Sequence, residues 1–260
     1  MWKFLIIMGC TFPFCSTSQD LQIQKLNLNK FIDEGLEINT FSLTEDGSAG
    51  FFTATDDWEH QIPFLVTFSP DTVVQQIQSL GTIYNGAISP SGNQIIYAIR
   101  EGEYTTLHLV QKTSTGWTSS VELSASSNLM GGYFHWYNEE QLFFYTPENA
   151  GDLVEGLLDD GTLRITNHFE EINSAHTEFS PYVAPNYEYL IFTKYVKGDS
   201  TQQGLMISYN NGSASSQEWS VAKKIQNLPY GWGAFIKDDL LYFSDGISIY
   251  YTPFAPSGRR

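Results

Sequence analysis

The chain has 260 residues, of which 42% are hydrophobic, 15% are aromatic and only 16% are charged. This composition can supply one substantial core or one array of repeats, and it is not that of a disordered chain. Acidic residues outnumber basic residues by 29 to 13, so the formal net charge is −16. A surface of that sign repels a phosphate backbone, which argues against nucleic acid as a partner. Solubility explains the acidic excess, and a cationic partner is the alternative.

Residues 1–18 are typical of a secretory signal peptide. Lys3 gives the positive start, an apolar stretch follows from residue 4 to about residue 14, and Ser16 to Ser18 form a small-residue cleavage site before Gln19. The apolar stretch is too short to span a membrane, and no other segment approaches the roughly 20 apolar residues that spanning requires. We therefore expect an exported protein, periplasmic or secreted, whose single domain is 19–260.

Both cysteines, Cys10 and Cys15, lie inside this predicted signal. The mature chain would then have no disulfide framework, no cysteine-ligated zinc and no thiol nucleophile. A second interpretation rests on Ile7-Met8-Gly9-Cys10, which resembles the cleavage box of bacterial lipoproteins. Cleavage there would leave a lipid-anchored outer-membrane form attached through Cys10.

A short apolar phrase recurs five times along the chain at nearly even spacing. Its aligned aromatic residues are Phe52, Tyr97, Phe144, Phe192 and Phe243, which are 45, 47, 48 and 51 residues apart. A period in this range, with several short strands in each unit, is typical of a β-propeller. Each unit can be divided into an inner strand, a tight turn, the apolar second strand and one or two further strands.

The predicted strands follow in chain order. They are 40–43, 50–53, 60–68 and 72–79 in unit one; 86–89, 95–98, 105–112 and 117–123 in unit two; 133–136, 142–145, 153–158 and 162–167 in unit three; 181–184, 190–193, 204–209 and 219–225 in unit four; and 232–236, 241–244 and 247–254 in unit five. Residues 21–27 resemble the fourth strands 73–78 and 221–227, so we expect them to complete the last blade and leave no open sheet edge. The predicted fold is all-β, a five-bladed β-propeller of four-stranded blades, with a twisted stack of hairpins or a sandwich as the alternative.

Two stretches resemble TolB-type, WD40-like propeller proteins of the exported bacterial kind. One is the turn Ser89-Pro90-Ser91-Gly92 with the apolar strand that follows it to Tyr97. The other runs from Ser180 through Ile191-Phe192 to Glu218-Trp219-Ser220. Units one, three and five lack the family's Ser-Pro-Asp-Gly turn, and Trp136 to Glu139 stand in its place in unit three. The resemblance implies a propeller of the bacterial envelope that serves as a binding scaffold, and it implies no reaction.

The beginnings of the inner strands line one mouth of a propeller's channel, which is the usual ligand face. The candidate ligand-binding residues there are Asn39, Tyr84, Asn85, Tyr133, His135, His176, Glu178, Ser180, Tyr230 and Trp232. Aromatic faces beside amides and carboxylates suit sugars or peptides. The alternative is that these aromatic side chains pack between the blades.

His135, His176 and Glu178 are the best candidates for a metal site, since imidazoles and a carboxylate can hold a divalent ion. The two histidines belong to different units and no tight ligand spacing links them, and the calcium-loop pattern of EF-hands is missing from the sequence. We therefore expect neither a metal nor a cofactor.

Motifs of catalysis are also missing from the sequence, which has neither a Gly-x-Ser-x-Gly elbow nor a phosphate-binding glycine-rich loop. Five-bladed glycosidases need carboxylates that face one another across the channel, roughly 5–10 Å apart. Only Glu34, Glu37 and Glu178 lie near inner-strand beginnings. The sequence thus favours a monomeric, non-catalytic binding or scaffold protein with a protein, peptide or carbohydrate ligand. The alternative is a glycan-cleaving enzyme with Glu178 as a catalytic acid and Glu34 or Glu37 as the second acid.

Overall fold

The computed structural model of the protein describes residues 22–58, 60–123 and 129–256. The predicted signal peptide and both cysteines lie outside the described residues. Within these ranges, 21 strands form five antiparallel sheets, each of which is one blade of a propeller. The prediction of an all-β fold with five four-stranded blades is confirmed, and in blade 2 two short strands together take the place of the fourth.

The strands of each blade follow one another along the chain, from the central channel outward. Blade 1 has β2 (Glu37–Leu43), β3 (Ala49–Thr55), β4 (Ile62–Thr67) and β5 (Val73–Gln76); blade 2 has β6 (Asn85–Ile88), β7 (Gln94–Glu101), β8 (Tyr104–Thr113), β9 (Gly116–Trp117) and β10 (Val121–Glu122); blade 3 has β11 (Gly132–Trp136), β12 (Gln141–Thr146), β13 (Asp152–Asp159) and β14 (Thr162–His168); blade 4 has β15 (Thr177–Val183), β16 (Tyr189–Tyr195), β17 (Gly204–Tyr209) and β18 (Lys223–Lys224); blade 5 has β19 (Trp232–Lys237), β20 (Leu240–Ser244) and β21 (Ile249–Pro253). Short 3-10 helices lie at Asn29–Phe31, Gln78–Leu80, Glu148–Ala150, Pro185–Tyr187 and Ser200–Gln202.

The fourth strand of blade 5 is β1 (Gln24–Leu26), from the opposite end of the chain. It pairs antiparallel with β21, with Gln24 opposite Tyr251 and Leu26 opposite Ile249. The five inner strands β2, β6, β11, β15 and β19 contact one another in a closed cycle around the channel. The ring is therefore held together by hydrogen bonds and packing between residues that are far apart in sequence.

Two of the outermost strands are shorter than the sequence predicts, whereas β14 of blade 3 covers the whole of its predicted range. Residues 72–79 form a strand only at Val73–Gln76, and residues 219–225 form one only at Lys223–Lys224. An outermost strand has a partner on one side alone and little apolar surface to bury, so its ends leave the ladder early. Trp219 makes a single bridge to Asn210 and packs in the cluster between blades 3 and 4.

The core consists of five apolar clusters, one between each pair of neighbouring blades. The five aligned aromatic residues of the repeat lie in these clusters, and all are at most 2% exposed. Burial of one such ring stabilises a protein by about 1.5–3 kcal/mol relative to leaving it exposed. The repeated phrase in the sequence is thus the second strand of each blade, whose aromatic residue packs against a neighbouring blade.

Candidate functional site

The inner strands of blades 3, 4 and 5 carry a β-bulge at the same position. The register with the second strand shifts between Gly132 and His135 in β11, and similarly in β15 and β19. Tyr133, Ser180 and Gly233 stand at these shifts with φ of 55°, 52° and 63°. Bulges redirect side chains, and a positive φ is uncommon outside glycine. The bulge separates the beginning of each strand, at one end of the channel, from the stretch that leads to the hairpin turn at the other end.

Aromatic side chains crowd the end of the channel where the inner strands begin. We call this end the aromatic mouth, formed by Trp58, Tyr84, Tyr133, Tyr145, Phe179, Tyr230 and Trp232. Tyr133 is at its centre, with its ring 5.8 Å from that of Tyr84 and 5.0 Å from that of Phe179. The hydroxyls of Tyr84 and Tyr133 are 3.3 Å apart, and the Arg100 guanidinium lies 5.2 Å from the Tyr84 ring centroid.

The Tyr133 hydroxyl is surrounded by other phenols. Burial raises its pKa well above the ordinary 10.0, and the neighbouring Tyr84, Tyr145 and Tyr230 raise it further. Tyr133 belongs to blade 3 and Tyr230 leads into blade 5, and these blades are not neighbours. The Tyr230 ring in turn contacts that of Trp232, with centroids 6.1 Å apart. The predicted residues Tyr84, Tyr133, Tyr230 and Trp232 are brought together here.

The predicted amides at this mouth are buried links between blades. Asn85 is fully buried, and its Oδ1 accepts a hydrogen bond from the Tyr133 backbone N–H at 2.7 Å. Asn39 is also buried, and its backbone oxygen and Oδ1 accept hydrogen bonds from Nε1 of Trp232. Both amides thus hold neighbouring inner strands together.

Glu178 lies in a closed polar cluster beneath the aromatic mouth. Its side chain is fully buried; Oε1 accepts a hydrogen bond from Ser174 Oγ at 2.6 Å, and Oε2 accepts one from the Ser174 backbone N–H at 3.0 Å. Lys194 Nζ is 3.2 Å from Oε1. The half-buried His176 joins this cluster through its backbone N–H, which donates to Ser174 Oγ. These contacts fix the loop between blades 3 and 4.

The other two predicted acids lie apart from this cluster. Glu34 is exposed on the segment before blade 1, and Glu37 begins β2 opposite Thr55. Among the described lining residues of the central cavity, neither of these acids nor Glu178 is present. The three carboxylates therefore do not form an opposed pair across the channel.

A cavity of about 740 Å³ occupies the channel on the other side of Tyr133. All five inner strands line it, and it extends to the hairpin turns. We call that end the turn mouth, formed by Glu45, Ser91, Asn138, Asn186 and Lys237. The first four of these residues are exposed, so the cavity opens to solvent there. Of the predicted site residues, Tyr133, His135 and Ser180 line the cavity.

Small side chains contribute to the open space at this end. Ser42, Gly86, Ala87, Gly233 and Ala234 line the cavity beside larger rings such as that of Trp136, whereas aromatic rings crowd the aromatic mouth. The sequence analysis placed the ligand at the inner-strand beginnings because these line the usual ligand face of a propeller, and the aromatic residues there supported that prediction. The same rings take up the space at that mouth.

The cavity wall combines apolar faces with polar atoms. His135 packs against the rings of Phe143 and Tyr182, and its Nε2 is 3.3 Å from the Val183 carbonyl oxygen. Burial lowers the pKa of His135 from 6.5 to about 4, so the ring is neutral near pH 7. Ser180 is 3% exposed, and its Oγ has no hydrogen-bond partner among the described residues. A buried hydroxyl without a partner is uncommon and can serve a ligand.

Glu139 lines the cavity near the turn mouth, as Glu45 does. Its Oε1 accepts a hydrogen bond from the Ser91 backbone N–H at 2.7 Å, and its Oε2 accepts one from Gln94 Nε2 at 3.2 Å. Burial acts to raise the pKa of Glu139, but these hydrogen bonds outweigh it and the pKa is lowered. Glu139 is therefore held ionised near neutral pH.

Two other kinds of feature are missing from residues 22–58, 60–123 and 129–256. Within these ranges, no group of three or more His, Cys, Asp and Glu side chains is placed to hold a metal ion. No helix among the same residues is long and apolar enough to cross a membrane.

Sequence reasoning missed Trp58 at the aromatic mouth and Glu139 at the turn mouth. Trp58 follows Asp56-Asp57, which reads as a solvated turn, and the loop lies outside the repeated phrase. The sequence feature that could have identified it is a tryptophan in an acidic loop, because exposure to solvent does not stabilise a large apolar ring. Glu139 occupies a turn position where the sequence analysis saw only degeneration of the repeat.

No protein-family profile matches this chain, and no curated protein matches it. Solved structures do resemble it. TolB from Acinetobacter baumannii is 11% identical with a TM-score of 0.51, over 85% of this chain and 55% of that one, so this chain spans about half the length of TolB. A thermostable family-43 glycoside hydrolase is 10% identical with a TM-score of 0.55, over 91% of this chain and 95% of that one.

An endo-arabinase from Bacteroides thetaiotaomicron is 11% identical with a TM-score of 0.53, over 87% of this chain and 95% of that one. At these identities the likeness concerns the fold alone. The chain is a five-bladed β-propeller whose structural neighbours include both a TolB and glycoside hydrolases.

Proposed function

We propose that this protein is a non-catalytic binding module that takes an oligosaccharide or a peptide into its central cavity through the turn mouth. The observation that carries the proposal is the cavity itself, about 740 Å³ in volume and lined by all five inner strands. Binding sites for small ligands are concave and typically measure about 300–1,000 Å³. A ligand there would contact every blade.

The lining suits a ligand with alternating apolar and polar groups. Trp136, Tyr182 and Phe235 offer aromatic surface, while the Ser180 hydroxyl and the exposed Asn186 offer hydrogen bonds. Sugars and peptides present flat apolar faces together with hydroxyls or amides, so both match this wall. A protein partner could insert such a peptide from a loop or a terminus.

The carboxylates favour binding over cleavage. A glycosidase needs a protonated acid of raised pKa beside the scissile bond and a second carboxylate opposite it. Glu139 has the reverse tendency, since its pKa is lowered. Glu178, the acid of the alternative hypothesis, is buried and held by Ser174 and Lys194. These contacts support a site that binds its ligand without hydrolysing it.

We further propose that the protein acts after export, as a periplasmic or secreted monomer. Cleavage before Gln19 would leave β1 intact, so blade 5 would keep its fourth strand in the mature protein. The mass of the protein recovered from a bacterial host tests this. A mass that starts at Gln19 supports the signal peptide, a lipidated mass that starts at Cys10 supports the lipid-anchored form, and an uncleaved chain contradicts both.

The test of the site is a thermal-shift screen of residues 19–260 against neutral oligosaccharides and short peptides. A ligand at 100 times its Kd adds about 2.7 kcal/mol to the free energy of unfolding. For each compound that binds, we compare Ser180→Ala with the wild type. The substitution removes a hydroxyl without a protein partner, so we expect an unchanged melting temperature. Loss of its bond to the ligand should weaken binding about 2- to 10-fold.

Thr252→Val is the matched control. The Oγ1 of Thr252 is likewise buried and without a hydrogen-bond partner among the described residues, but it lies in β21, away from the cavity. Affinity should be unchanged in this variant. Two results would contradict a ligand in the cavity. One is equal affinity of the wild type and Ser180→Ala for every compound that binds, and the other is an equal loss of binding in Ser180→Ala and Thr252→Val.

A further inference from the structure

Three aromatic side chains form an open corner on the outer edge of the aromatic mouth, where blade 5 meets blade 1. We call it the rim site, formed by Trp58, Tyr230 and Trp232 around Gly246. The Trp58 ring is 5.9 Å from that of Trp232 at an angle of 60°, and the Tyr230 ring is 6.1 Å from it at 63°. Trp58 is 43% exposed and Tyr230 is 37% exposed. The rings are thus steeply inclined to one another, and the side chains of Trp58 and Tyr230 are partly accessible to solvent.

Trp58 is held outward by a strained loop. Its φ is 65°, a conformation that bulky residues rarely adopt. Thr55 Oγ1 accepts hydrogen bonds from the backbone N–H groups of Asp57 and Trp58 at 3.1 and 3.0 Å, and Asp57 Oδ1 accepts one from the His60 N–H at 2.8 Å. Strain of this kind persists only where the surrounding structure determines it, and it is often found at functional sites. Here the hydrogen bonds maintain a conformation that leaves the indole in solvent.

Trp232 and Gly246 complete the site from blade 5. Nε1 of Trp232 is fixed by its hydrogen bonds to Asn39 at 3.0 and 2.8 Å. A Cβ on Gly246 would collide with the six-membered rings of both Trp58 and Trp232, and the glycine has a φ of 92°. Glycine at this position therefore allows the two indoles to meet. The site is formed before any ligand arrives, which lowers the entropy cost of binding.

The surroundings of the rim site are acidic. Asp56 and Asp57 precede Trp58, and Asp245 precedes Gly246. The three contributing segments are 55–60 without residue 59, 230–232 and 245–248, and their described residues include neither lysine nor arginine. The imidazole of His60 is paired with Asp57, with Nδ1 3.1 Å from Oδ2. Lys30 follows Asn29, which contacts the Ile247 carbonyl oxygen, and its Nζ lies over the Phe31 ring at 4.7 Å. The formal net charge of −16 adds a long-range field of the same sign.

We propose that the rim site binds an organic cation of the alkylammonium class. The faces of indole and phenol rings are electron-rich, and inclined aromatic walls within an acidic surface are suited to cation–π recognition. The Trp232 N–H already donates to Asn39, so this indole offers a ligand its ring and no free donor. The cation could be a lysine side chain of a basic peptide or a quaternary ammonium headgroup. This site is separate from the central cavity, and its occupation does not depend on a ligand there.

The test follows the indole N–H signals of Trp58 and Trp232 by NMR in residues 19–260 during titration with choline. The neutral isostere 3,3-dimethylbutan-1-ol is the matched ligand control, since it has the same shape without the charge. We expect choline to shift these signals and to bind at least 10-fold more tightly than the alcohol. N-acetyl-lysine methylamide forms the second arm. Tighter binding of the lysine derivative assigns a basic peptide as the source of the cation, and tighter binding of choline assigns a quaternary headgroup.

Two variants distinguish a loss of cation binding from a loss of folding. Trp58→Gly removes the ring and suits the positive φ, so the fold should persist and cation binding should fall at least 10-fold. Tyr104→Ala removes a tyrosine that is 71% exposed on blade 2, and binding should be unchanged. Any of three results would overturn the proposal. These are equal affinity for choline and its neutral isostere, absence of binding by both cations, and retention of binding in Trp58→Gly.

Discussion

The single indole N–H of Trp232 is shared between two oxygens of Asn39, the backbone oxygen at 3.0 Å from Nε1 and Oδ1 at 2.8 Å. These residues belong to the inner strands of blade 5 and blade 1. The contact therefore joins the two ends of the ring beside the channel, while the pairing of β1 with β21 joins them at its outer edge. The indole ring of Trp232 thus forms part of the rim site, while its N–H donates to the contact that closes the propeller.

Trp232→Phe should destabilise the protein while keeping an aromatic ring in place. Asn39 is only 2% exposed, so loss of the indole donor leaves a buried acceptor unpaired. The expected loss is about 1–3 kcal/mol in the free energy of unfolding, measured by urea denaturation. Trp58→Phe is the control, because the 43% exposed Trp58 should change stability by less than about 0.5 kcal/mol. Wild-type stability in Trp232→Phe would mean that this contact does not help to close the ring.

Lys194→Met should be strongly destabilising. The variant leaves the fully buried Glu178 carboxylate without its cation, and removal of one partner from a buried pair costs about 3–5 kcal/mol. The double variant Glu178→Gln/Lys194→Met should recover part of that loss, since no uncompensated charge remains. Urea denaturation of the two single variants and the double variant measures the coupling. A stable Glu178→Gln protein whose only defect is lost glycan cleavage would instead support the enzyme hypothesis.

Phe192→Ala, which replaces one of the aligned aromatic residues, should lower the free energy of unfolding by about 3–5 kcal/mol. The Phe192 side chain is only 1% exposed and packs between blades 3 and 4. Phe31→Ala is the control, since Phe31 is 37% exposed on the segment before blade 1. Its effect should stay below about 1 kcal/mol. Similar losses in the two variants would contradict the assignment of the repeat to the core.

The stability of the protein should fall with acid partly through His135. Burial lowers its pKa from 6.5 to about 4 in the folded state, so the unfolded state binds more protons between these pH values. The contribution of the neutral ring is complete above about pH 6.5 and is lost as the pH falls to about 4. Comparison of wild type with His135→Leu, by denaturation across this range, isolates it. The variant should show a shallower pH dependence in this window, and an identical slope would show that His135 is not desolvated.

The number of blades could be predicted from sequence because one buried aromatic residue recurs in every unit. Phe52, Phe144 and Phe243 occupy equivalent positions in the clusters between blades, and burial at equivalent positions imposes the same residue class. The outer strands were less predictable, since few contacts constrain the residues around Val73 or Val221.

The candidate site was harder to predict because it depends on geometry that no repeat encodes. Tyr84, Tyr133 and Trp232 were expected near one another, and the structure places them at one mouth. The position of the open cavity depends on the bulges at Tyr133 and Ser180 and on small side chains further along the strands. Trp58 reaches the rim through a loop conformation that has no periodic signal.

The most direct test of the central claim is to measure binding and turnover in the same samples. Residues 19–260 are incubated with the panel of oligosaccharides and peptides, the melting temperature is recorded, and the compounds are then analysed by mass spectrometry. We predict that at least one compound raises the melting temperature and is recovered intact. Cleaved products, or a melting temperature that no compound raises, would contradict a binding module with its ligand in the central cavity.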